Sequence, residues 1–140
     1  IGILMHEILR QASTTESIIA RIDESQIAGK LSPEQAQELK AAIEREFQRE
    51  EIKEWFSEWD EIHTECDIIC DDKVGTRRPD RVMIKGDRAV VVDYKFGAEK
   101  FASHRKQIAE YMRLLREMGY EQVEGYVWYL SLGEIVAIEE

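Results

Sequence analysis

The segment from Asp80 to Lys95 reads DRVMIKGDRAVVVDYK. Two apolar runs flank Gly86-Asp87, a pair typical of a tight turn, and this pattern predicts a β-hairpin. With that pair as the loop, the register places Asp80 directly opposite Asp93. Lys95, two residues beyond Asp93, then points to the same face of the strand.

Opposed side chains on an antiparallel pair lie roughly 5 Å apart. Two carboxylates at that distance repel by about 3 kcal/mol at an effective dielectric near 20. A bound divalent cation would turn the repulsion between Asp80 and Asp93 into attraction, because carboxylates are its preferred ligands. The alternative is a solvated hairpin end that happens to be charged, and spacing alone leaves both interpretations open.

The chain has 140 residues, 44% hydrophobic and 34% charged, which predicts one soluble domain with its own core. No segment is long and apolar enough to span a membrane, and the first residues lack the basic region of a signal peptide. We therefore expect a cytoplasmic protein. Because the chain begins with Ile1, we also expect a domain excised from a longer protein.

Charge and cysteine content narrow the function classes. The net charge of −10 argues against non-specific nucleic-acid binding by the whole surface, although it permits a local basic path. Cys66 and Cys70 are too few for a cysteine-only zinc or iron–sulfur site, and they lie too far apart on one strand to form a disulfide. Free thiols in a reducing compartment are expected.

Hydrophobic periodicity predicts helices, three strands, a helix and two strands, in that order. The helical segments are about 3–22, one that starts at the Ser32-Pro33 cap, an amphipathic stretch over 52–59, and about 104–118, whose apolar stripe includes Met118 and which ends at Gly119. The strands are 63–71, the two arms of the hairpin, 123–130 and 134–138. This order predicts an α/β domain.

Four further patterns accompany the hairpin. His6 follows a small residue, Gly2, by four positions at a helix start. The strand ends read RPDRV over 78–82 and VVDYKFG over 91–97, and Gln107 and Tyr111 share one helix face. In this order the set resembles the PD-(D/E)XK nuclease superfamily, and within it the RecB-like nuclease domains. It is most similar to the C-terminal nuclease domain of RecB/AddA-type helicase–nucleases.

The resemblance covers nearly the whole chain and implies a single nuclease domain over 1–140 with a restriction-endonuclease-like fold, a central mixed β-sheet flanked by helices. It implies a metal-dependent deoxyribonuclease, exo- or endonucleolytic, that serves a helicase–nuclease in double-strand-break repair and recombination. The alternative is a catalytically degenerate module of the same fold that binds DNA or a subunit. The acidic charge keeps that alternative open.

The resemblance also implies roles at matching positions. The ligands of Mg²⁺ or Mn²⁺ would be His6, Asp80, Asp93 and the backbone carbonyl of Tyr94. Lys95 would activate the attacking water and stabilise charge on the phosphate, while Gln107 and Tyr111 would steady the site or the DNA backbone. Many members of the superfamily have Glu where this chain has His6. Histidine is common in the RecB branch, and it leaves the metal preference more open because imidazole suits softer ions than Mg²⁺.

Several other expectations rest on position. Glu65, on the strand before the hairpin, is expected either to contact the metal ligands without binding the metal itself or to lie at the sheet edge. Basic residues on loops near the motifs could contact phosphates or simply be solvated: Arg77, Arg78, Lys100, Arg105 and Lys106. Expected partners are DNA, as single-stranded ends delivered by a helicase, and a partner subunit. ATP would act only in a helicase portion, since this chain has no P-loop. His63 and His104 are assigned no role.

Overall fold

The computed structural model describes residues 2–64, 79–97, 100 and 102–139. In these ranges four helices precede the sheet: α1 Gly2–Gln11, α2 Thr15–Ile27, α3 Pro33–Glu46 and α4 Glu50–Trp55. The strands and the remaining helix follow as β1 Glu61–Thr64, β2 Arg81–Lys85, β3 Arg88–Lys95, α5 Ala102–Glu117, β4 Gln122–Tyr129 and β5 Glu134–Ile138. The predicted order of elements is confirmed.

The five strands form one sheet in the order β1-β2-β3-β4-β5. β3 and β4 are parallel, and the other neighbouring strands are antiparallel. The parallel pair requires a crossover connection, and α5 supplies it. The sheet is therefore mixed, as predicted.

The hairpin has the predicted register, from Lys85 opposite Arg88 to Arg81 opposite Val92. Gly86 adopts a φ of 61°, a left-handed conformation that favours glycine, and its amide donates to the Asp60 carboxylate at 2.9 Å. β2 begins immediately after Asp80, so this residue stands at the mouth of the hairpin.

Helices cover both faces of the sheet. Successive side chains of β3 point to opposite faces, so the strand contributes to two apolar cores. On one face, Val90, Val92 and Tyr94 pack with apolar residues of α1 to α4. On the other face, Ala89 and Val91 pack under α5. The alternation places Asp93 and Lys95 on the α5 face, at the end of β3.

Gly125 on β4 lets α5 approach the sheet closely. A Cβ atom at this position would lie 2.5 Å from Ile108 Cγ2 and 2.5 Å from Met112 Sδ, both on α5. Such short distances do not occur between real side chains, so the close packing of α5 on the sheet requires a glycine at position 125.

The structure corrects three predictions about helices. The predicted helix over 3–22 is wrong: the chain forms two helices, and Thr14 caps the second through a reciprocal capping box with Ser17. The segment over 52–59 is helical only to Trp55, and the Trp59 indole N–H donates to the Glu54 carbonyl at 2.9 Å. Met118 lies beyond the end of α5 and is 51% exposed.

The other predicted boundaries agree with the structure where it describes them. The Ser32 capping box is present, and Gly119 follows α5 with a φ of 107°. β1 begins two residues before the predicted strand over 63–71, and the part of that strand beyond Thr64 lies outside the described residues.

Candidate active site

His6 lies in the first turns of α1 and points at the mouth of the hairpin. Its Nδ1 is 2.7 Å from the carbonyl of Gly2, the small residue four positions earlier. Its Nε2 is 3.2 Å from Asp80 Oδ2 and 3.1 Å from the carbonyl oxygen of Tyr94. The edge of the His6 ring meets Phe96, with the ring centroids 5.0 Å apart. Both nitrogens of the ring are thus held in a fixed direction.

The two carboxylates are joined through backbone amides. The Asp80 amide donates to Asp93 Oδ1 at 3.0 Å, and the Tyr94 amide donates to Asp80 Oδ2 at 2.8 Å. Asp93 is only 3% exposed. The arrangement expected from the hairpin register, with the two acidic residues side by side, is therefore present in the structure.

Burial, together with the neighbouring negative charge of Asp80, raises the pKa of Asp93 to about 7. Burial works against a charge on His6, but the hydrogen bond to Asp80 and the charge of that carboxylate outweigh it and raise the His6 pKa to about 9. The contribution common to both shifts is the negative charge of Asp80, which raises each pKa. Added positive charge is favoured beside this carboxylate.

Lys95 places a cation next to Asp93. Its Nζ lies 4.0 Å from Asp93 Oδ2, and its side chain is 27% exposed. The ammonium is therefore close enough to interact with the buried carboxylate and accessible enough to meet a ligand.

Gln107 and Tyr111 bond to each other on α5. The Gln107 amide nitrogen donates to the Tyr111 hydroxyl at 3.1 Å. Tyr111 is buried in the core between α5 and the sheet, whereas Gln107 is half-buried. Half-buried Gln107 is thus tied to Tyr111, which packs in the same apolar core as Val91 of β3.

The residues predicted to contact phosphates are spread out. Lys100 forms an ion pair with Glu134 of β5. Arg105 and Lys106 are exposed and line a groove of about 490 Å³ with the end of β5. Three predicted positions lie outside the described residues: Glu65, Arg77 and Arg78.

Sequence reasoning missed His104, which it assigned no role. His104 Nδ1 lies 2.9 Å from the hydroxyl of Tyr129, and Tyr129 is the residue of β4 paired with Lys95 of β3. A signal was available: His104 precedes Gln107 by three residues and Tyr111 by seven, which places all three on one helix face.

Among the residues that the structure describes, no three side chains of His, Cys, Asp or Glu form a group able to hold a metal ion. The donors that meet are mixed: an imidazole nitrogen from His6, a carboxylate oxygen from Asp80 and the carbonyl oxygen of Tyr94. Three lone-pair donors within hydrogen-bond distance need a positive species between them, either a proton or a cation. This donor set fits a divalent cation that accepts oxygen and nitrogen ligands, with Asp93 adjacent as a further carboxylate.

A mixed five-stranded sheet with helices on both faces, and two acidic residues at adjoining strand ends, defines the restriction-endonuclease-like class of α/β fold. The family model of the PD-(D/E)XK nuclease superfamily matches residues 1–138, and the chain belongs to that superfamily. Nuclease activity is what this membership indicates. The search of curated proteins found no significant match. In the part of the chain that the structure describes, no helix combines the length and the apolar character needed to cross a membrane.

Proposed function

We propose that this domain is a Mg²⁺- or Mn²⁺-dependent deoxyribonuclease that hydrolyses phosphodiester bonds. One observation carries the proposal. His6, from the first helix, places Nε2 within 3.2 Å of both Asp80 Oδ2 and the Tyr94 carbonyl oxygen, at the hairpin end that bears Asp93 and Lys95. These polar groups converge beside a buried carboxylate, where added positive charge is favoured.

His6, Asp80, Asp93 and the Tyr94 carbonyl would hold the cation. When bound, the cation would supply a water of lowered pKa and neutralise charge on the phosphate. The Gly2 carbonyl fixes the direction of the His6 ring through Nδ1, which leaves Nε2 for coordination. Burial of Asp93 keeps competing water away from its carboxylate.

Lys95 would act on the phosphate directly. Its ammonium lies next to Asp93 and is half-exposed, so it can orient the attacking water and stabilise the negative charge that develops on the phosphoryl oxygens. Gln107, held by the Tyr111 hydroxyl, would steady the site or the DNA backbone from the side of α5.

Cleavage of an end-labelled single-stranded oligonucleotide in Mn²⁺, in Mg²⁺ and in EDTA tests the proposal. The wild type should cleave with either metal and lose activity in EDTA. Asp93→Asn and Lys95→Ala should lower the rate by at least about 100-fold while retaining the wild-type circular dichroism. Asp87→Asn is the matched control for Asp93→Asn, because it removes the same charge at the exposed hairpin turn. Full activity of Asp93→Asn would contradict the proposal.

The alternative is a catalytically degenerate module that binds DNA or another subunit. The net charge of −10 favours the subunit-binding form of this alternative, because such a surface repels nucleic acid. The same assay separates the two functions. A degenerate module would show an oligonucleotide mobility shift, or none, without any product in either metal.

We further propose a biological setting: the nuclease module of a cytoplasmic helicase–nuclease that processes double-strand breaks with a partner subunit. The support is the RecB-like pattern of His6, Asp80, Asp93 and Lys95 together with Gln107 and Tyr111. In the full-length protein, Asp93→Asn should abolish ATP-dependent degradation of linear duplex DNA and leave unwinding intact. Degradation without ATP at the same rate would contradict this setting.

A further inference from the structure

A polar pair outside the predicted site joins α5 to the end of β4. Tyr129 is paired with Lys95 in the parallel register of β3 and β4, and the next amide, of Leu130, donates to the Lys95 carbonyl at 3.0 Å. Tyr129 is 2% exposed, yet its hydroxyl reaches His104 Nδ1 at 2.9 Å. The pair therefore lies beside the end of β3, which carries the ammonium of the proposed site.

His104 stands in the first turns of α5, one turn before Gln107. The first amides of a helix have no intrahelical acceptor, so this end tends to fray. Further along, apolar side chains such as Ile108 and Leu115 hold α5 on the sheet. The hydrogen bond between His104 and the buried Tyr129 fixes the first turns of the helix, which precede its apolar contacts with the sheet.

The surroundings of the pair suit this task. Burial and the positive charge of Lys95 both lower the pKa of His104, which disfavours a second cation beside Lys95. Lys100 Nζ lies 5.8 Å from the centroid of the Tyr129 ring and is itself ion-paired with Glu134. The Tyr129 ring is thus also contacted by a cation that is itself tied to β5.

We propose that His104 and Tyr129 are positioning residues: they fix the first turns of α5 against the end of β4, and so hold Gln107 over the strand end that carries Lys95. The inference rests on the proposed nuclease function for its kinetic consequence. It deepens that function by adding two residues that act through the position of Gln107.

The first test is steady-state cleavage of a single-stranded oligonucleotide in Mn²⁺. Tyr129→Phe and His104→Ala should each lower kcat by about 10-fold, with KM within about 2-fold of the wild type and unchanged Mn²⁺ affinity. His104→Asn should restore most of kcat, because its amide can occupy the position of Nδ1. Tyr120→Phe, at a tyrosine beyond the other end of α5, is the matched control and should match the wild type. An unchanged kcat in Tyr129→Phe, or a rise in KM alone, would overturn the inference.

The second test does not depend on nuclease activity. Hydrogen exchange of the amides of residues 106–110 should be several-fold faster in Tyr129→Phe and His104→Ala than in the wild type, and slow again in His104→Asn. Exchange that Tyr129→Phe leaves unchanged would overturn the inference even if DNA is cleaved. If the wild type cleaves no DNA, the proposed function fails, and faster exchange in the two variants still supports the pair as the element that positions α5.

Discussion

His6 Nε2 lies 3.2 Å from Asp80 Oδ2, although 74 positions separate the two residues in the chain. The contact joins the start of the first helix to the mouth of the central hairpin. Because Asp80 is also linked to Asp93 through its own amide, the contact brings an imidazole to a pair of carboxylates that repel each other. We therefore expect stability and metal binding to oppose each other at this site.

Asp93→Asn should stabilise the metal-free protein. Above the Asp93 pKa of about 7, the substitution removes a buried charge beside Asp80, while the amide oxygen of Asn can still accept the hydrogen bond from the Asp80 N–H. Repulsion between carboxylates at about 5 Å is about 3 kcal/mol at a dielectric near 20, so a gain of at least about 1 kcal/mol in the free energy of unfolding is expected. Urea denaturation in EDTA measures it, with Asp87→Asn as the control. A loss of stability in Asp93→Asn would show that repulsion between Asp80 and Asp93 does not destabilise the metal-free protein.

His6→Glu should change the metal preference. A carboxylate is a harder ligand than imidazole, so the variant should favour Mg²⁺ over Mn²⁺ more strongly than the wild type does. We expect the ratio of the cleavage rates in the two metals to shift by several-fold toward Mg²⁺. His63→Glu, a histidine on β1 outside the proposed ligand set, is the control. An unchanged ratio in His6→Glu would argue that His6 does not bind the metal.

Gly125→Ala should destabilise the domain by about 1–3 kcal/mol, because the added methyl group overpacks the contact between β4 and α5. Thermal or urea unfolding measures the loss. Part of the conflict is with Met112, so the cost of Gly125→Ala should be smaller in a Met112→Ala background than in the wild type. Equal costs in both backgrounds would mean that α5 does not sit as closely on the sheet as described.

The hairpin could be predicted from sequence because turn chemistry and strand alternation agree at Gly86, and a two-residue loop fixes the register. The same register, with no further information, placed Asp80 beside Asp93. The break between α1 and α2 was not predicted, because the apolar residues of the two helices continue at helical spacing across it. The start of α2 is marked by the reciprocal capping box of Thr14 and Ser17.

Contacts between distant parts of the chain could not be derived from local pattern. The bond between His104 and Tyr129 depends on how α5 crosses from β3 to β4, and the role of Gly125 depends on how closely α5 then lies. The sequence around His104 does not indicate that Tyr129 is its partner, and the sequence around Gly125 does not indicate that α5 packs against it. The approach of His6 to Asp80 was expected only through a family resemblance, because helical periodicity does not show where a helix start will dock.

Calorimetric titration of Mn²⁺ into metal-free protein detects the proposed cation site at the hairpin mouth without requiring DNA. The wild type and Asp87→Asn should bind Mn²⁺ with the same affinity. Asp93→Asn should bind at least about 10-fold more weakly, since it replaces a charged ligand with a neutral one. Equal affinity in the wild type and Asp93→Asn would contradict a metal site at the mouth of the hairpin.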